Sequence, residues 1–261
     1  MGRVWLKTKY DNGMKMEIPH SHNMSNAMYG FRELGAEIIP YHKIDEIYDI
    51  VSKEDIVLDY IDQCKEIFKK FGKEPYIEDY PVNFERFLGR KVWIDTIDSI
   101  SADEKKWSAG YFVKPIKSKV FTGKVISSIN DLIGCGNCHE NYEVLVSEKI
   151  NIKAEWRCFI LYDEIIDVRP YGTLIDPNSK SYLYHYDSSV LQDMLKEFKN
   201  MGNRPMACSM DICVTEEGKT LLMEFNDAYS LGYYGLPPIS YAKLISARWS
   251  QILERPDEYK F

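Results

Sequence analysis

No apolar run in this 261-residue chain approaches the length of a membrane span, and its first residues carry no secretory pattern. A soluble, cytoplasmic protein without membrane partners is expected. An excess of positive charge is missing too: the formal net charge is −7, which argues against a nucleic-acid partner held through the phosphate backbone. There is no internal repeat and no low-complexity tract. A Walker loop, Gly-x-x-x-x-Gly-Lys-Ser/Thr, is absent. Histidine and cysteine are scarce, at 5 and 6 residues. One Cys-x-x-Cys-His run, Cys135 to His139, has no second Cys pair nearby to complete a tetrahedral zinc site, so it reads as a glycine-rich surface loop. No covalent nucleophile stands out. Hydrophobic residues make up 45% of the chain, ample for a sizeable core.

Residues 1–99 read as a small α/β unit in which strands alternate with helices, the pattern of a mainly parallel sheet. Arg3 to Lys7, Ala36 to Pro40 and Ile56 to Leu58 are strand-like. Asn23 to Leu34, capped by Ser25 or Asn23, and Asp59 to Phe71 are amphipathic helices ended by Gly35 and Gly72. The stretch from Tyr10 to His22 reads as a long polar loop after the first strand, which makes Lys9, Tyr10, His20 and His22 weak substrate-pocket candidates. The charged segment Ser99 to Ser108 is linker-like, and the second domain is expected over 100–261.

The second half is richer in strands. Gly110 to Pro115 carries Lys114 near its end and enters a basic turn, Ile116 to Lys124, with hydroxyls and glycine. A lysine facing such a loop suits polyphosphate; a solvated turn is the plainer alternative. Tyr142 to Ser147, Glu155 to Leu161 and Ile165 to Tyr171 are further strands. Charges inside them must be paired or line a cleft, and Glu155–Arg157 or Glu164–Arg169 ion pairs would satisfy that. Ser188 to Met201 and Ile239 to Leu253 are helices.

Met210 to Val214 and Thr220 to Phe225 form a β-hairpin about Glu216–Lys219. Folding about that turn sets Asp211 roughly opposite Glu224, with Asn226 two residues on and facing the same way. Three oxygen side chains at one end of a hairpin suit Mg²⁺ or Mn²⁺ with bound phosphate, or simply face water.

In order, Val113-Lys114-Pro115, a loop ending Phe121-Thr122-Gly123, Ser147-Glu148-Lys149-Ile150, Glu155-Trp156-Arg157, Asp211 and Glu224-x-Asn226 resemble the ATP-grasp superfamily. The details resemble its compact bacterial and phage clade, named for two arginines and a lysine. The resemblance covers roughly 85 to 240 of the chain. It implies an α+β fold in which two lobes sandwich a nucleotide, preceded by a small α/β domain. It implies that Lys114 contacts the α/β-phosphates and that Lys119, Thr122 and Gly123 belong to the loop covering them. Ser147, Glu148, Lys149 and Ile150 would form the adenine hinge, and Glu155 would bind the ribose. Asp211, Glu224 and Asn226 would be the Mg²⁺ ligands. Arg90 replaces the family's earlier lysine, with Lys91 adjacent; either would reach phosphate. The arginine that often precedes the first metal carboxylate is missing, Ser209 and Met210 standing there, and Arg157 or Arg169 would supply its charge.

The activity implied is an ATP- and Mg²⁺-dependent carboxylate–amine ligation through an acylphosphate, releasing ADP and phosphate, with peptides or protein side chains among the candidate substrates. Arg157 or Arg169 would orient the acyl group or the transferring phosphoryl, and Lys114 would balance phosphate charge. The rivals are a phosphotransferase that stops at a phosphorylated product, and a nucleotide-binding module without turnover. Tyr171, Tyr229, Tyr233 and Tyr234 are candidates for an acceptor pocket.

Overall fold

The computed structural model describes residues 2–11, 14–116, 120–136, 140–170 and 183–261. It divides into two compact units, 1–87 with 153–261, and 88–152.

The larger unit begins with strand β1 (Val4–Asp11), which pairs in parallel with β3 (Ile38–Tyr41) and β4 (Ile56–Leu58). Its outer half instead forms an antiparallel arm with β2 (Met14–Pro19). The expected polar loop after the first strand is therefore largely a hairpin. Asn12-Gly13 separates the paired residues Asp11 and Met14, and Met14, Met16 and Ile18 alternate with Lys15 and Glu17. Helix α1 (His22–Glu33) is capped by Ser21, not Ser25 or Asn23, because the Ser21 hydroxyl accepts from the Met24 amide at 3.3 Å. Gly35 ends it at φ 79°, and the Ala36 amide reaches back to the Phe31 carbonyl at 2.9 Å. Helix α2 (Ile61–Lys70) ends the same way at Gly72.

One apolar core runs through this unit. Phe31, Phe68 and Ile67 from the first helices pack with Phe159, Ala207, Tyr229, Leu244 and Trp249 from the far end of the sequence. Gly30 shows how close the approach is: a Cβ there would lie 1.9 Å from the Pro238 carbonyl oxygen, at the start of the last helix. That C-terminal half holds the sheet β10-β9-β11-β12: β9 (Ile152–Leu161), β10 (Glu164–Pro170), β11 (Ala207–Thr215) and β12 (Thr220–Asp227). Tyr162 and Asp163, both at positive φ, turn β9 into β10. A helix of Ser188–Asn200 buries Leu191, Met194, Leu195 and Phe198 as their spacing predicts.

The smaller unit is an antiparallel sheet of order β5-β8-β6-β7: β5 (Val92–Thr96), β6 (Tyr111–Pro115), β7 (Lys124–Ile126) and β8 (Glu143–Ser147). Its own core contains Ile97, Ile100, Val113, Ile126, Cys135, Val144 and Val146. The segment read as a linker is instead two short helices, α3 (Ile97–Ala102) and α4 (Glu104–Trp107). Thr96 and Asp103 cap them through the Ser99 and Lys105 amides, and Ile97 and Ile100 enter the core. A boundary after residue 99 falls inside α3. Cys135 is buried in this core, its thiol on the Asp131 carbonyl; Cys138 and His139 lie outside the described residues. Among the described residues no helix is long and apolar enough to cross a membrane. The helices after α4 are α5 (Ser188–Asn200) and α6 (Pro238–Ile252).

Candidate functional site

β11 is buried along its whole length, so a carboxylate in it must be compensated. Asp211 is that carboxylate. It lies directly across from Glu224 on β12, with Asn226 across from Ser209, as folding about the turn requires; a bulge follows between Asp211 and Ile212. Arg157, on the neighbouring strand β9, grips Asp211 with both prongs, Nε to Oδ1 at 2.9 Å and Nη2 to Oδ2 at 2.7 Å. Both side chains are buried, 5% and 6% exposed. The Ser209 hydroxyl donates to Oδ1 at 3.2 Å. The Asn226 amide bridges the two acids, donating to Asp211 Oδ2 at 2.9 Å and Glu224 Oε1 at 3.1 Å. Ser209 thus touches the carboxylate itself, and the charge missing next to it comes from β9.

Burial lifts the Asp211 carboxyl above the ordinary carboxylate range, against the pull of Arg157 and with a push from Glu224. Glu155, two residues before Arg157, is raised as well, by burial first and then by the charges of Asp211 and Glu224. Three acids with one gripping guanidinium make a locally anionic end of the sheet. Its oxygens are hard donors that suit Mg²⁺ or Mn²⁺, with the amide oxygen of Asn226 as the third ligand. Among the described residues no three His, Cys, Asp or Glu side chains are arranged as a metal site, so the set depends on that amide, which now presents its nitrogen.

Arg169 is the direct cross-strand partner of Arg157, and its guanidinium is held by Asp167 at 2.6 Å. The Glu155–Arg157 and Glu164–Arg169 ion pairs entertained from sequence give way to Arg157–Asp211 and Arg169–Asp167.

The loop leaving β12 is braced on all sides. Asp227 takes a two-pronged grip from Arg248 of α6, both contacts at 2.7 Å. Trp249 donates to the Tyr229 carbonyl, Ser230 to the Asp59 carbonyl, and the Tyr233 amide to Asn23. Tyr229 is a core residue against Phe68, not pocket lining. Tyr234 sets its ring 4.5 Å from the Arg157 guanidinium carbon. Arg248 is invisible in the sequence because nothing near it in the chain marks its partner. Tyr171 lies outside the described residues.

In the smaller unit, Lys114 sits on β6 across from Leu145. Gly123 lies against it: a Cβ would come within 2.9 Å of Lys114 Cβ and 2.6 Å of the Phe112 ring. Thr122 is exposed beside it, and Lys119 lies outside the described residues. Ser147 is buried at the end of β8, and Glu148 and Lys149 are exposed after it, followed by half-buried Ile150. Glu148 is tied to Lys91 twice: its amide donates to the Lys91 carbonyl at 3.1 Å, and its carboxylate accepts from the Lys91 amide at 2.9 Å. Arg90 donates to the Leu88 carbonyl at 2.9 Å. Arg90, Lys91 and the 147–150 segment therefore gather at one end of that sheet, where Val92 pairs with Ser147.

A model of the ATP-grasp domain, family 2 of the clade named for two arginines and a lysine, matches residues 87–244. Among solved structures, a D-alanine–D-alanine ligase from Bacillus anthracis, in complex with ATP, superposes with a TM-score of 0.53 at 13% identity, covering 97% of this chain and 99% of its own. An N5-carboxyaminoimidazole ribonucleotide synthetase from Thermotoga maritima gives 0.53 at 13% identity, covering 98% of this chain and 77% of its own. At such identities the likeness is one of fold. A comparison with curated protein sequences finds no match.

Proposed function

Because the chain belongs to the two-arginine, one-lysine clade of the ATP-grasp superfamily, we propose that it is an ATP- and Mg²⁺-dependent carboxylate–amine ligase that works through an acylphosphate and releases ADP and phosphate. The observation that carries this reading is the buried Asp211 facing Glu224 and Asn226, with Arg157 gripping it. A protein that only bound nucleotide would have little use for such a costly set of charges.

In this reading Lys114 and either Arg90 or Lys91 balance the phosphates, and Thr122 and Gly123 belong with Lys119 to the covering loop. The 147–150 segment meets adenine through its backbone. Glu155 binds the ribose, and Asp211, Glu224 and Asn226 form the ligand set. A bound Mg²⁺ would neutralise charge on the β- and γ-phosphates. Arg157 and Arg169, side by side, hold the carboxylate substrate and the transferring phosphoryl in line. The carboxylate oxygen attacks the γ-phosphorus, the bond to the ADP oxygen breaks, and an amine then displaces phosphate from the acyl carbon. Peptide and protein side chains are among the candidate acceptors, and the reaction takes place in the cytoplasm.

The test is ADP release from ATP and Mg²⁺ across carboxylate–amine pairs, with hydroxylamine as a trap for the acylphosphate. Hydroxamate that forms only with carboxylate and ATP supports the ligase. ADP release without any amine requirement, and a stable phosphorylated product, would favour the phosphotransferase.

A further inference from the structure

Every acceptor position of the Asp211 carboxylate is occupied. Oδ1 takes Arg157 Nε at 2.9 Å and the Ser209 hydroxyl at 3.2 Å; Oδ2 takes Arg157 Nη2 at 2.7 Å and Asn226 Nδ2 at 2.9 Å. A carboxylate offers about four lone-pair sites, and two of these belong to one guanidinium. A dication at Asp211 must therefore displace a donor. Ser209 and Asn226 are neutral and turn aside without losing a charge partner, but neither move relieves the repulsion between a dication and a guanidinium on the same buried carboxylate. The guanidinium is the one charged competitor among these donors. It has a second support in place, the face of Tyr234, 4.5 Å from its central carbon, and an aromatic face holds a guanidinium whether or not a carboxylate is present.

We propose, resting on the metal reading above, that Arg157 is the counter-ion of Asp211 with which a divalent cation competes, and that cation binding displaces its guanidinium from the carboxylate. The exchange orders the events at the site. While Asp211 neutralises Arg157, the guanidinium has little charge to offer a carboxylate substrate; once the cation has taken over Asp211, the guanidinium is available to an anion. Cation loading thus precedes recognition of the acid substrate, and a wasteful carboxylate complex without metal and nucleotide is disfavoured.

The experiment measures Mn²⁺ binding to the full chain without nucleotide, for wild type, Arg157→Met, Asp211→Asn and the double variant, with circular dichroism as the check on folding. Arg157→Met is expected to bind Mn²⁺ about tenfold or more tighter than wild type, because the buried carboxylate has lost its competitor. Asp211→Asn and the double variant are expected to bind weakly. If Arg157→Met does not fold, Arg157→Lys serves, since one ammonium cannot hold both oxygens, and a smaller gain is expected. In wild type, the nitrogen-15 signal of the Arg157 Nε–H, identified by its loss in Arg157→Lys, is expected to shift on adding Mg²⁺. Binding no tighter in the Arg157 variants, with Asp211→Asn still losing the ion, overturns the exchange and leaves the metal site standing. An Arg157 signal unmoved at saturating Mg²⁺ does the same. Mn²⁺ binding that is indifferent to Asp211→Asn, or that stays absent throughout even when a non-hydrolysable ATP analogue is added, removes the metal reading and the exchange with it.

Discussion

Glu155 ionises reluctantly because it is half-buried near Asp211 and Glu224. A carboxyl raised above its unfolded value favours the folded chain only in acid, and that contribution disappears as pH rises through the folded value. At neutral pH the ionised Glu155 therefore works against folding. Glu155→Gln is expected to melt above wild type near neutrality, with the two curves converging below about pH 4, where the unfolded glutamate is itself protonated. Calorimetry across pH checks it; a Gln variant that is less stable at neutrality would refute the account. The same change should weaken ATP binding, a stability gained where function is lost. Glu224 makes the complementary case. Half-exposed and in the proposed ligand set, it contributes little packing, so Glu224→Ala should stay folded while turnover falls by about 10²-fold or more. Turnover near wild type in a steady-state ADP assay would remove Glu224 from the ligand set.

The elements position these residues through contacts of unequal legibility. The hairpin is readable because its register follows from turn and alternation alone: Glu216 to Lys219 between two apolar runs sets Asp211 against Glu224, and the structure has that pairing. The burial of Leu191, Met194, Leu195 and Phe198 follows from helical spacing in the same local way. The grip of Arg157 on Asp211 and of Arg248 on Asp227 is not readable, since each partner lies on another strand or helix and no local rule chooses among the available acids. Other differences are local: the short spacing between the paired Asp11 and Met14, and Thr96 and Asp103 as caps, are signals the chain does carry, obscured by the polar composition around them. The unforeseen Arg248–Asp227 pair predicts a sharp effect. Both side chains are nearly buried, 8% and 13% exposed, so Arg248→Met leaves a carboxylate uncompensated beside the site loop. A loss of about 3–5 kcal/mol is expected by denaturant titration, and most of it should return in Arg248→Met with Asp227→Asn, which removes the stranded charge. In the smaller unit, Gly123→Ala drives a methyl into Phe112 and Lys114. Overpacking of about 1–3 kcal/mol, relieved by moving the loop off Lys114, should raise the KM for ATP about tenfold or more. An unchanged KM would mean that the loop does not touch phosphate.

At the scale of the whole molecule, two divisions of the chain make opposite predictions. A boundary after residue 99 makes residues 1–99 a domain with its own core. The packing argues otherwise: Phe31 meets Tyr259, Phe68 meets Trp249 and Tyr229, and Gly30 is pressed against Pro238 and Ala242, so the first sheet and helices complete their core with residues beyond 153. Ile97 and Ile100, on the nominal first side of that boundary, belong to the core of the smaller unit. A fragment of residues 1–99 would expose the faces of α1 and α2 that the C-terminal half covers, while its last helix would be cut in two. It should show no cooperative melt by circular dichroism. Residues 1–87 joined to 153–261 by a flexible linker in place of 88–152 hold all of the larger core and should melt cooperatively. A cooperative melt of 1–99 alone would restore the boundary after residue 99. It would also mean that the contacts to α6 add little to a core already sufficient without them, and Gly30→Ala, which pushes the last helix away, would then cost almost nothing in the intact chain.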